Sequence, residues 1–251
     1  GKNVVGDAPG KFIDYPLSFE TLKNFDKETR IKIEEELKKC TKENQIRATN
    51  FEEYVLALVG PTLTEMFFKS YPEKLWGVPT SEMTANWAPK RINFTDTTQE
   101  FHGEQWAGVG RFGSGAIVNL IAENIISLGG KFLFNKRVSK LTVNGASISE
   151  IHLNESEKIQ VGVDDVVVST IPFNFLSDIL GIQNSLTYRG ALLVYLAIDR
   201  SCVIPGDAAF LYFAHQQVPF HRLSEQKKFC SDGWPEKRTT LVAEIACNEA
   251  D

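Results

Sequence analysis

The sequence predicts an α+β protein: a mainly helical stretch over residues 1–90, then a mainly antiparallel β stretch over residues 91–251. Three observations point there. Residues 27–71 place apolar side chains at the three- and four-residue spacing of helices packed by one face. Residues 131–153 are β-rich around an Asn144-Gly145 pair, a hairpin-turn signature. Three further β-rich runs follow, ALLVYLAID, AAFLYFAH and TTLVAEIAC.

Taken in order, the first 25 residues hold short apolar pieces broken by Pro9, Gly10 and Pro16, which predicts strand and loop. The segment DKETRIKIEEELKKCTKENQ aligns Ile33, Leu37 and Cys40 on one face and predicts a solvated amphipathic helix. Asn50 opens a new helix with Glu53 three residues on, a capping-box pairing. Its stripe of Phe51, Tyr54, Val55, Leu58 and Val59 runs into Gly60-Pro61, where a kink or a second helix is expected. Leu63, Met66 and Phe67 continue the stripe to Tyr71-Pro72, with Tyr71 and Trp76 expected just past the helix end. A short helix is expected over residues 81–87, stopped by Pro89.

Beyond residue 91 a glycine-rich bend, GVGRFGSG, leads into an apolar helix (Ile117, Leu120, Ile121, Ile125) closed by Gly129-Gly130. The hairpin follows, then DVVVST, which reads as a buried strand, and a short helix FNFLSDIL after Pro172.

Composition narrows the function classes. The 251 residues include 43% hydrophobic and 24% charged side chains and carry a net charge of −5, which argues against general nucleic-acid binding. A single basic cleft stays compatible with that charge. Cys40, Cys202, Cys230 and Cys247 are scattered, without CxxC or Cys/His ligand spacing, which predicts free thiols in a reducing cytoplasm and no metal site. No apolar run reaches the roughly 18 residues of a membrane-spanning helix. The first residues lack the layout of a signal peptide.

Few residues stand out as carriers of chemistry. The loop GVGRFGSG is preceded by FHGEQWA and not by an apolar strand, so a turn before a helix is the better reading than a dinucleotide fingerprint. Phe67, Phe68, Tyr71 and Trp76 form an aromatic group that suits a core or a cleft lined for a flat base. Arg91 and Arg222 suit bidentate phosphate binding, and surface ion pairs account for such arginines equally well. On a strand Arg222 would face away from Glu225 and Lys227. The four histidines have no Ser or Cys partner in a triad pattern and receive no role.

The stretch TNFEEYVLALVGPTLTEMFFKSYPEKLWG resembles the substrate-domain segment of UDP-galactopyranose mutases, in which FEE opens a helix ending in FFK, Tyr and Trp-Gly. GKFIDYPLSFETLKNF, WAPKRI and PFHRLSEQKKF resemble three other segments of that family, in the same order. The last is its Arg-x-x-Glu-x-Lys-x-Phe motif. The chain is thereby identified as a member of the mutase-like, amine-oxidase-like FAD-dependent flavoproteins.

That resemblance implies the middle part of a FAD/NAD(P)-binding flavoprotein fold, with cofactor contacts over about residues 116–140 and 160–180. It implies Phe67, Phe68 and Tyr71 around a uridine, with Tyr71 stacked on uracil, and Arg222 on the diphosphate. Trp76 would lie near sugar and flavin, and Arg91 beside the flavin ring and substrate, as the catalytic pair. Val138 would meet the adenine of FAD through its backbone, with Ser169 and Thr170 nearby. The implied reaction interconverts pyranose and furanose forms of a UDP-sugar for surface polysaccharide, using reduced FAD. The GxGxxG unit is absent from the sequence, so the chain is expected to be a central piece, inactive alone and unable to retain FAD. The ending LVAEIACNEAD is closer to amine-oxidase-like oxidoreductases, protoporphyrinogen oxidase among them, which keeps that activity open. So does a third reading, a binding or structural module.

Overall fold

The structure, a computed structural model, describes residues 2–4, 12–90, 110–154 and 156–248. The chain divides into two compact units, one of residues 1–114 with 189–251 and one of residues 115–188. The expected division at residue 90 differs from this one. Strand β1 (Lys2–Val4) pairs with β2 (Phe12–Asp14) and, in parallel, with residues 211–213, so the amino-terminal stretch belongs to the same sheet as the carboxy-terminal one.

In the larger unit, the charged segment forms two helices, α1 (Lys27–Leu37) and α2 (Lys42–Arg47), where one was expected. Asp26 and Thr41 each accept a backbone N–H bond as N-caps, and the second cap is what restarts the helix. Helix α3 (Phe51–Leu63) begins as the sequence predicts, with Glu53 N donating to Asn50 Oδ1 at 2.9 Å. The Glu53 carboxylate reaches one residue further back than a capping box requires, accepting from Thr49 N and Oγ1 at 2.8 Å.

The kink falls at Gly60, whose φ of 79° and ψ of 170° are open essentially to glycine alone. Past it the helix restarts at Pro61, and Glu36 of α1 accepts from Thr62 N at 2.9 Å and Thr62 Oγ1 at 2.8 Å, capping the second half from outside.

A π-helical turn (Thr64–Lys69) follows, and α4 (Ser70–Trp76) continues from it. Tyr71 and Trp76 therefore lie inside a helix and not beyond its end. Pro72 is tolerated because it stands in the first turn of α4, where a missing N–H costs little. Its ring crowds the carbonyl four residues back, and the turn ahead of it widens. Gly77, at φ 70°, ends α4. The expected helix near residues 81–87 is two 3-10 turns, Thr80–Glu82 and Ala85–Lys90.

The smaller unit starts with α5 (Ser114–Ser127), closed at Gly129 and Gly130 as expected. Strands β3 (Val138–Asn144), β4 (Ser147–Leu153) and β5 (Glu157–Gln160) form an antiparallel sheet in that order, and α6 (Phe173–Leu180) follows. The hairpin turn is Gly145-Ala146, one residue later than the Asn144-Gly145 pair, because Asn144 pairs with Ser147. DVVVST is neither a strand nor buried: Val166 is 86% and Val168 79% exposed. An apolar segment needs a covering layer to be buried, and the described residues supply none over it.

The chain returns to the larger unit as β6 (Gly190–Ile198), β7 (Phe210–Phe213), β8 (Arg222–Glu225) and β9 (Thr239–Cys247). The six-stranded sheet has the order β2-β1-β7-β8-β9-β6, antiparallel apart from β1–β7. One core joins Ile13, Leu17, Ile33, Phe51, Val55, Val59 and Leu63 under the helices, and a smaller one gathers Ile204, Leu211 and Leu241 at the sheet. No described helix is long and apolar enough to cross a membrane.

Candidate functional site

Helix α4 brings one face to the sheet, and the meeting place is built from five elements of the larger unit. The Tyr71 ring stands edge-on to Tyr212 of β7 and to His221 beside β8, with ring centres 5.8 Å apart in both pairs. Tyr15, at the end of β2, packs on Tyr212 at 5.3 Å. Burial pushes the Tyr15 phenol up to about 12 and raises Tyr71 and Tyr212 as well, so all three are neutral donors at physiological pH.

Arg222 sits directly opposite Glu244 in the β8–β9 register. Its Nε and Nη2 each donate to one Glu244 oxygen at 2.7 Å, a bidentate pair. The guanidinium lies 5.1 Å from the centre of the Phe210 ring and bonds Tyr212. The Glu244 hydrogen bonds raise its pKa further, so it is a permanent cation whose fork is occupied by protein. His221 is 6% exposed, with Nε2 3.9 Å from Glu244 Oε2 and Nδ1 without a partner among the described residues. Burial lowers its pKa below 6.5, Glu244 opposes the shift, and Arg222 and Lys74 reinforce it.

Lys74 anchors the face. Its Nζ donates to the carbonyls of Phe213 at the end of β7 and of His215, Val218 and Phe220 in the loop that joins β7 to His221. Burial pulls the Lys74 ammonium down to about 8, which still leaves it charged at neutral pH. At the other end of α4, Arg189 Nε and Nη2 donate to Leu75 O at 3.3 Å and Lys74 O at 3.2 Å, and Nη1 to Asn248 Oδ1 at 2.5 Å. That cation sits on the carbonyl end of the helix dipole.

The residues singled out in the sequence separate in space. Tyr71 and Arg222 come together, and Trp76 shares the helix of Tyr71, 43% exposed, with its ring 5.8 Å from Trp87. Phe67 and Phe68 point into the helical core, 2% and 5% exposed, where Phe67 meets Phe25 at 6.1 Å. Arg91 lies outside the described residues. The Arg-x-x-Glu-x-Lys motif divides its work: Glu225 is fully buried and accepts from Val203 N and Ile204 N, while Lys227 holds Pro235 O and Glu236 O at 2.8 Å. No surface ion pair joins Glu225 to Lys227 in that arrangement. Among the described residues no cluster of His, Cys, Asp and Glu could hold a metal.

Val138 belongs to the smaller unit, where it lines a cavity of about 1080 Å³ with Ser139, Asn154, Ile171, Pro172 and Phe175. Ser169 and Thr170 are exposed on the segment leading to Ile171.

The profile of the family described as "Flavin containing amine oxidoreductase" matches residues 2–245. The chain belongs to that family. It is 26% identical over 259 residues to a dTDP-fucopyranose mutase of Escherichia coli, covering 98% of this chain and 61% of that protein. Its fold matches a crystal structure of reduced UDP-galactopyranose mutase with a TM-score of 0.74 and 19% identity, over 99% of this chain and 57% of that one. A putative protoporphyrinogen oxidase from Exiguobacterium sp. 255-15 has the same fold at a TM-score of 0.64 and 12% identity, over 91% and 53%. The chain thus spans between half and two thirds of these relatives' length.

A flavin dinucleotide implied by the family fits the smaller unit at one end only. The cavity beside Val138 joins an apolar wall (Ile171, Pro172, Phe175) to polar edges (Ser139, Asn154), which suits a flat adenine.

Proposed function

We propose that the chain supplies the substrate face of a flavin-dependent mutase acting on a nucleoside-diphosphate sugar. The observation that carries this reading is the convergence of Tyr71 and Arg222 on one patch, an aromatic plane for a base beside a planar fork for phosphate. Tyr71 stacks on the base, and Arg222 holds the diphosphate and balances the charge that grows on it as the sugar departs. Trp76 borders the reacting sugar, and the family resemblance gives Arg91 the same part. Phe67 and Phe68 fix the helix behind Tyr71 and do not touch the base themselves. Val138 holds the adenine end of FAD, with Ser169 and Thr170 on the segment that leads to Ile171 of the same cavity. Bound there, reduced FAD would supply the electron-rich nitrogen that this chemistry needs.

UDP titration of the 251-residue chain, followed by tryptophan fluorescence, tests the reading. A saturable response is expected, weakened roughly 5- to 150-fold in Tyr71→Ala, the worth of one stacked base. Absence of any saturable response in the unsubstituted chain refutes it.

A second reading, a flavin oxidoreductase with an uncharged substrate, is favoured by one observation. Both Glu244 oxygens already neutralise the Arg222 fork. An oxidoreductase of this kind would ignore UDP, so the same titration separates the two.

A further inference from the structure

Glu244 Oε2 faces two nitrogen donors at once. Arg222 Nη2 holds it at 2.7 Å, and His221 Nε2 waits at 3.9 Å. Closing that second gap to hydrogen-bond length takes a movement of about 1 Å, within reach of a side-chain rotation. With Arg222 in place the pair is neutral and a second cation has nothing to balance. Were Arg222 to turn to a phosphate, Glu244 would be left a largely buried carboxylate without a cation, a costly state. The groups that face His221 are Tyr71 and Lys74 from α4, Arg222 beside it on β8, and Glu244 on β9. Of these, only Glu244 favours a charged imidazole.

We propose that Glu244 is a shared counter-ion, held by Arg222 in the resting chain and passed to His221 when Arg222 engages a diphosphate. His221 takes one proton from solvent in the exchange. The inference rests on Arg222 as the diphosphate contact and adds a consequence to it: binding of the anion draws a proton into the site. His221 is then a positioning residue for Arg222, acting through the carboxylate they share.

The test is calorimetric titration of the 251-residue chain with UDP-glucose at pH 7, in buffers of different ionisation enthalpy. UDP-glucose is chosen because its diphosphate does not titrate near that pH. Uptake of about half a proton or more per ligand is expected, falling to none in His221→Gln while the ligand still binds. Binding lost in Arg222→Gln but without proton uptake in the unsubstituted chain overturns the shared counter-ion and leaves the diphosphate reading standing.

A ligand-free arm separates the two failures. The His221 ring proton, followed by NMR against pH, should titrate about one unit higher in Arg222→Gln than in the unsubstituted chain. In Arg222→Gln/Glu244→Gln that rise should vanish. A chain that ignores UDP-glucose yet shows this rise refutes the diphosphate reading and keeps the shared carboxylate. An equal rise in both variants means that loss of the arginine charge alone moved His221, and the proposal falls.

Discussion

Replacing Lys74 by methionine keeps most of the length of the unbranched side chain and removes the cation that gathers the β7–β8 loop. Four backbone carbonyls, those of Phe213, His215, Val218 and Phe220, lose their shared donor. An ammonium has three protons, so at most three full hydrogen bonds are at stake, each worth about 1.5–3 kcal/mol when one partner is charged. Two effects reduce that total. The site is half-buried, so part of the freed carbonyls turns to water, and removing the ammonium also removes the desolvation cost that pulls its pKa down. The net loss should be about 2–3 kcal/mol, a large fraction of a typical domain's stability.

Urea unfolding reads that loss as a lower midpoint at unchanged slope. Hydrogen exchange adds the location: amides of residues 214–221 should exchange faster while those of α3 do not. A destabilisation below about 0.5 kcal/mol with unchanged exchange in that loop would mean that the four contacts contribute no net hold, and the reasoning would fail.

Two further outcomes follow from the same geometry. Gly60→Ala places a Cβ 2.7 Å from Glu36 Cβ at a φ of +79°, so it should cost about 2–4 kcal/mol in urea unfolding, strain and overlap together; a cost under about 1 kcal/mol would show that the kink relaxes freely. His221 binds its proton less readily in the folded chain than in the unfolded one. Its contribution to stability is therefore full above pH 6.5 and drains away as pH falls through the lowered folded value. His221→Gln should flatten that part of the stability–pH curve, and an unchanged slope would refute the assignment.

The helical part was legible because its signals are local. Asn50 and Glu53 lie three residues apart, Gly60-Pro61 is adjacent, and the apolar stripe of α3 repeats within one element. The site was legible only in its motif residues. Glu244 is 22 residues from Arg222, and only the β8–β9 register sets them opposite each other. Lys74 binds backbone carbonyls, which no side-chain pattern announces. His221 belongs to no triad pattern in the sequence, because its partners are an arginine–glutamate pair and a tyrosine ring. DVVVST misled because apolar composition specifies a preference for burial and not the layer that provides it.

The π turn at Thr64–Lys69 stores one residue more than an α-helix of the same rise would hold. It is thus the one place in this run of helix where the chain could be shortened without disturbing what lies beyond. Deleting a residue there, together with Pro72→Ala, would leave a continuous α-helix that still turns Tyr71 toward Arg222. The same deletion within α3 would rotate everything after it by about 100° and carry Tyr71 and Lys74 off the sheet. The spacing between the FEE and YPEKLWG segments therefore behaves as a setting with two allowed lengths, one of them tied to a proline.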